Sequence, residues 1–180
     1  MLFCIADEAK PFVHKITNHT FQSKDPFYLA ESKTCPDEAS DFKRKLENSD
    51  FSSEFTSVEE CQEWMLREQL KHNFMETDFI HIADARSAKD KTLLTCVYSD
   101  EPLSIQLAPE GEPEQQLPPK AHTWCSWRIR SQDAEAIESH IQHGEPGDAW
   151  PVFYLRKDEI TDANGVIDME KATKMVWGED

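Results

Sequence analysis

Midway along the chain the apolar side chains stop recurring at helical intervals and begin to alternate with polar ones. Phe79–Asp84, Thr92–Tyr98 and Leu103–Ala108 each follow the two-residue period of a strand with one buried face, and Thr123–Arg130 repeats it further on. The connections Lys89-Asp90-Lys91 and Asp100-Glu101-Pro102 are short and polar, so neighbouring strands pair as an antiparallel meander. Helical spacing on both sides of this block gives a single α+β domain over residues 1–180, with a mostly antiparallel sheet of four to six strands packed against three to four helices.

The helices announce themselves by their caps. Thr34 and Asp37 fit a capping box, Pro36 suits a first turn, and Ala39, Phe42 and Leu46 share a stripe, which predicts a helix ending near Asn48. Ser57 caps a second helix from Val58 to about His72, with Glu60 three residues on and Cys61, Trp64 and Met65 facing inward. Ser131 leads into a third, with Ala134, Ile137 and Ile141 buried, and Gly144 ends it. Asp168 caps a last helix carrying Met169, Ala172 and Val176 on its inner face. The apolar run Val152–Leu155 reads as a further strand. Residues 1–34 read as an irregular N-terminal extension, with short extended pieces at Leu2–Ile5 and Phe27–Ala30 broken by Pro11 and Pro26, and residues 109–120 as an exposed Pro/Glu loop.

A chain of 180 residues with 38% apolar side chains has enough material for one core. Its net charge of -16, from 19 basic and 35 acidic residues, excludes nucleic acid as an expected partner, because phosphates are bound by lysines and arginines. No apolar run is long enough for a membrane span, and Met1–Asp7 meets acid at once without a basic flank, so neither a membrane partner nor a secretory signal is expected and the location reads as cytoplasmic. The five cysteines lack a C-x-x-C pair and read as reduced and mostly buried, with no metal and no cofactor implied.

Four places could carry chemistry. In Trp124–Arg130, alternation sets Cys125, Trp127 and Ile129 on one face and Trp124, Arg128 and Arg130 on the other. Two guanidinium groups sharing a face either pair with the protein's own carboxylates or receive a ligand carboxylate or phosphate beside the apolar wall of Trp124. In Phe79–Arg86, His81 and Asp84 are candidates for proton transfer and Arg86 for ligand binding, although His81 and Asp84 face opposite ways. The alternatives are a hydrogen-bonded core imidazole at His81 and a turn ion pair between Asp84 and Arg86. Residues 160–168 imitate a calcium loop at Asp162, Asn164 and Gly165, but Ile160 and Lys171 stand where the closing carboxylates belong, so Asn164-Gly165 reads as a turn. His140 and His143 lie three apart on a helix, where charge at a helix C-terminus explains them without a metal completed by Asp148 or His122.

Ser49-Asp50-Phe51-Ser52 ahead of a Trp-bearing helix, then Phe79–Asp84, then Leu93–Tyr98 with Glu101-Pro102, resembles a family of small microbial proteins of unknown function. The resemblance covers about residues 49–108 and implies a compact α+β domain without implying an activity. That family's Asp is usually followed directly by Arg, whereas Ala85 intervenes here before Arg86.

Two functions fit these features. One is an acidic binding module, without cofactor, that recognises a basic protein surface or a small anionic molecule. The other is a cofactor-independent isomerase or lyase with His81 or Asp84 moving a proton in an aromatic pocket while Arg128 and Arg130 hold an anion.

Overall fold

The alternation of Thr123–Arg130 is realised in the computed structural model as a strand with Cys125, Trp127 and Ile129 buried and Ser126 and Arg130 exposed. The structure describes residues 1–19, 27–38, 41–42, 45–72, 79–99, 122–143, 149 and 151–178, the side chains of residues 142 and 143 excepted. Its strands are β1 (Leu2–Cys4), β2 (Phe79–Ala83), β3 (Thr92–Ser99) and β4 (Thr123–Arg130), in the order β1-β2-β3-β4. The β2-β3 and β3-β4 ladders are antiparallel and β1 runs parallel to β2. Helices are α1 (Lys10–Thr17), α2 (Val58–Gln69), α3 (Ala85–Asp90), α4 (Ala134–His143), α5 (Lys157–Ile160) and α6 (Met169–Trp177). This is a single α+β domain, and its sheet is mixed.

The sheet is covered on both sides, which is why β2 is buried at every position. One side packs Leu93, Val97, Trp127 and Ile129 against Phe12, Val13 and Ile16 of α1, Ile137 of α4 and Ala172 of α6. The other packs Ile80, Ile82 and Cys96 against Cys61, Trp64 and Met65 of α2. Trp64 stands edge-on to Phe3 and Phe55, and its indole N–H donates to the Lys33 carbonyl at 2.9 Å. Four of the five cysteines are buried and all five are free thiols; burial pushes the Cys125 and Cys4 thiols up to about 11.

The caps read from the sequence form at Ser57, which accepts from the Glu60 N–H at 3.2 Å, and at Asp168, which accepts from the Lys171 N–H at 3.2 Å. Residues 1–34 depart from the expected extension. Leu2 and Phe3 are wholly buried, Leu29 bridges to Leu2 at the sheet edge, and Pro11 opens α1 at a position where a missing N–H costs nothing. Residues 34–38 and 45–48 are bends and irregular chain and Asp41 sits in a 3-10 turn, so the α-helix expected to end near Asn48 is absent from them; Phe42 and Leu46 are buried all the same. Pro151–Leu155 forms a wide helical turn, closed by the Arg156 N–H on the Pro151 carbonyl at 3.1 Å, where a strand was expected. It puts Phe153 beside Trp127, whose indole N–H donates to the Phe153 carbonyl at 2.8 Å. Leu103–Ala108, residues 109–120, Gly144 and Asp148 lie outside the described residues.

Candidate anion-binding cleft

β4 ends at Arg130, and two polar segments rise on either side of it. The first is α3, which starts because Asp84 caps it: the Asp84 carboxylate accepts from the Ser87 N–H at 2.9 Å, and the Ser87 hydroxyl accepts from the Asp84 N–H at 3.1 Å. The second is a hairpin over residues 160–168, where Thr161 bridges to Ile167 and the Ile167 N–H donates to the Arg128 carbonyl at 2.8 Å. At its tip Asp162 accepts from the N–H groups of Asn164 and Val166 at 2.8 and 3.0 Å, and Gly165 takes φ +74. That is the turn the Asn-Gly pair announces. Arg86 spans both walls, donating from Nε to Asp90 at 2.6 Å and from a terminal nitrogen to the Asn164 carbonyl.

Between the walls lies a cleft of about 730 Å³ lined by Arg86, Lys89, Lys91 and Arg130, with Asp90 and Asp162 among its other residues. Both carboxylates are turned to local donors. The Val166 N–H holds Asp162 below the usual carboxylate range; burial works against Asp90, but Thr92 and Arg86 outweigh it and lower its carboxyl too. Among the described residues the side chains of Arg130 and Lys89 make no hydrogen bond or ion pair, and both residues are exposed. Ser131, Gln132 and Thr92 add neutral polar groups to the lining.

The residues singled out in the sequence divide among three places. Arg86 and Arg130 meet in the cleft. Arg128 does not join them: it donates to both oxygens of Asp84, at 3.1 and 2.6 Å, and its side chain is 11% exposed. Asp84 therefore pairs with Arg128 and caps α3, so the expected turn ion pair with Arg86 does not form. Trp124, at the other end of β4, packs on Tyr98 at 5.3 Å between ring centroids. His81 is fully buried on the opposite face, with Nδ1 2.9 Å from the Thr95 hydroxyl and Nε2 2.8 Å from Glu138. Burial lowers its pKa, and the carboxylate can only accept, so a neutral ring carries its proton on Nε2. His81 does not line the cleft. His140 bonds Thr173 at 2.8 Å and burial lowers its pKa as well.

Lys89 and Lys91 read as parts of a connection in the sequence, and the signal that could have placed them is the Asp84/Ser87 cap that turns Ala85–Asp90 into a helix. Among the described residues one further group has metal-ligand composition, Cys35, Glu68 and His72, and none of the three lines the cleft. Also among them, no helix is long and apolar enough to cross a membrane.

Fold and site together define a single α+β domain with a basic cleft at one end of its sheet. No protein-family model, curated protein or solved structure matches the chain, so its functional reading rests on its own geometry.

Proposed function

We propose that this protein is a binding module that takes a small carboxylate- or phosphate-bearing anion in the cleft between α3 and the 160–168 hairpin. The observation that carries the reading is local charge inversion: a chain of net charge -16 assembles four cations around one cleft, and leaves Arg130 without an ion pair among the described residues. Surface arginines in an acidic protein find carboxylates easily, and Arg128, Arg86 and Arg156 all do. Arg130 instead lines the cleft with no carboxylate of the described residues in ion-pair range, its charge acting on Asp162 and Asp133 only from further off, and a planar fork left so suits a bidentate oxyanion. The volume lies in the range of small-molecule sites, and the polar lining favours a hydrophilic ligand.

Calorimetric titration with pyrophosphate and with citrate, against sodium chloride of matched ionic strength, tests the reading. Saturable one-to-one binding is expected, weakening as salt is raised. Arg130→Gln should lower the affinity about tenfold, the worth of one charge-assisted hydrogen bond. Heats no larger than those of chloride, or equal affinity in the variant, would remove the cleft as the site.

A further inference from the structure

Outside the cleft, the C-terminal end of α2 brings together three side chains of different chemistry. Glu68 lies in the last turn of α2, and the chain continues far enough for the His72 N–H to reach the Glu68 carbonyl at 3.0 Å. That keeps the two side chains four residues apart on one helical face. Cys35 arrives from a distant segment that α2 itself holds in place: Trp64 donates to the Lys33 carbonyl at 2.9 Å, and the Lys33 ammonium pairs with Glu60 at 3.0 Å. One sulfur, one carboxylate oxygen and one imidazole nitrogen then lie within 4.8 Å of one another.

We propose that Cys35, Glu68 and His72 bind a zinc ion through Sγ, a carboxylate oxygen and a ring nitrogen, with the fourth position left to water. Sulfur, nitrogen and oxygen donors in a set of three are the composition of zinc sites that keep an exchangeable position, and a thiolate disfavours magnesium and calcium. His72 Nε2 stands 3.7 Å from Glu68 Oε2, beyond hydrogen-bond reach. Two ligands of one tetrahedral zinc are about 3.3 Å apart, given bonds of about 2.0 Å, so closing this pair on an ion takes a few tenths of an ångström. Glu68 is also held by neighbouring cations. Arg67 Nε donates to its Oε1 at 2.6 Å and Lys71 Nζ at 3.1 Å, the hydrogen bonding that typically surrounds a ligating carboxylate. Lys71 Nζ reaches its Oε2 as well, at 3.3 Å, so the ammonium gives up that contact to the ion. Cys35 and His72 are half-buried, which leaves a path for the ion and for its water. On binding, the Cys35 thiol gives its proton to solvent and the sulfur–zinc bond takes its place. The site shares no residue with the cleft, so each can fail without the other.

Cobalt(II) substitution tests the proposal on the full-length protein. One equivalent of cobalt should give a thiolate-to-metal charge-transfer band together with the intense visible bands of tetrahedral cobalt, and zinc chloride should bleach both. Cys35→Ser should abolish the charge-transfer band, and His72→Gln should weaken zinc binding at least about tenfold in competition with a chromophoric chelator. Thermal melts of both variants check that the fold persists. Octahedral cobalt spectra without a thiolate band, zinc too weak to compete with the chelator, or a band that survives in folded Cys35→Ser would each overturn it.

Discussion

Arg128 on β4 reaches across β3 to Asp84 at the end of β2 and donates to both of its carboxylate oxygens, at 3.1 and 2.6 Å. The same carboxylate caps α3. One residue thereby ties the sheet to the helix that carries Arg86 and Lys89, and it fixes which arginine is structural and which faces the cleft. Burial opposes ionisation of Asp84, but the Arg128 and Ser87 hydrogen bonds outweigh it and lower its pKa.

Removing that carboxylate should be costly. Asp84→Ala deletes the cap and leaves a largely buried guanidinium without its partner, for a loss of about 3 kcal/mol in urea unfolding. Asp84→Asn keeps a capping oxygen and should recover about 1 kcal/mol of it. Equal stability of wild type and Asp84→Ala would show that the clamp contributes nothing.

His81 makes stability depend on pH. Its folded pKa lies below the ordinary 6.5, first because of burial and in spite of Glu138, so the unfolded chain takes up a proton before the folded one does. Stability is full above pH 6.5 and falls as the pH drops below that value, ahead of the carboxylates. The melting temperature should be lower at pH 5.5 than at pH 7.5, and His81→Gln should reduce that difference; His140 and the Met1 amino group, both also lowered by burial, supply the remaining slope. An unchanged slope in the variant would assign the effect elsewhere.

Gly165 holds the hairpin wall of the cleft at φ +74, where an added Cβ would meet only Arg86 Nη1 at 4.0 Å. The cost of Gly165→Ala is therefore conformational, about 1 kcal/mol, and Gly165→Asn should cost less because asparagine tolerates the left-handed region. Both are read from chemical denaturation midpoints, and a neutral Gly165→Ala would contradict the turn.

Much of the fold was legible because its signals are local. The β4 alternation, the Ser57 and Asp168 caps and the inward stripe of α4 each depend on neighbours within a few residues. α1 was hidden by Pro11, which breaks a helix interior but suits its first turn, and the residue alone does not say which applies. Pro151–Leu155 is a short apolar run, and such runs do not distinguish a buried strand from a helical turn. Thr34–Asn48 carries cap and stripe, yet its described residues form bends, irregular chain and a 3-10 turn, and just before it Lys33 is drawn onto α2 by Trp64 and Glu60, a contact that no local pattern announces.

The cleft was half legible. Arg86 and Arg130 stand out as cations in an acidic chain, but their meeting depends on α3 and the hairpin, elements 78 residues apart at the Arg86–Asn164 contact. Arg128 and Arg130 looked alike by alternation, and only the position of Asp84 separates them. The Glu68/His72 spacing is visible on α2, whereas the third member, Cys35, comes from a fold contact that no local pattern encodes.

The most direct test follows the arginine side chains themselves. In a ¹H–¹⁵N correlation spectrum of the Nε–Hε groups, assigned with Arg130→Gln and Arg86→Gln, titration with pyrophosphate should move the Arg130 signal furthest and Arg86 with it, while Arg128 stays in place. Small uniform shifts matching those from sodium chloride, or movement of Arg128 with Arg130 unmoved, would contradict an anion bound in the cleft.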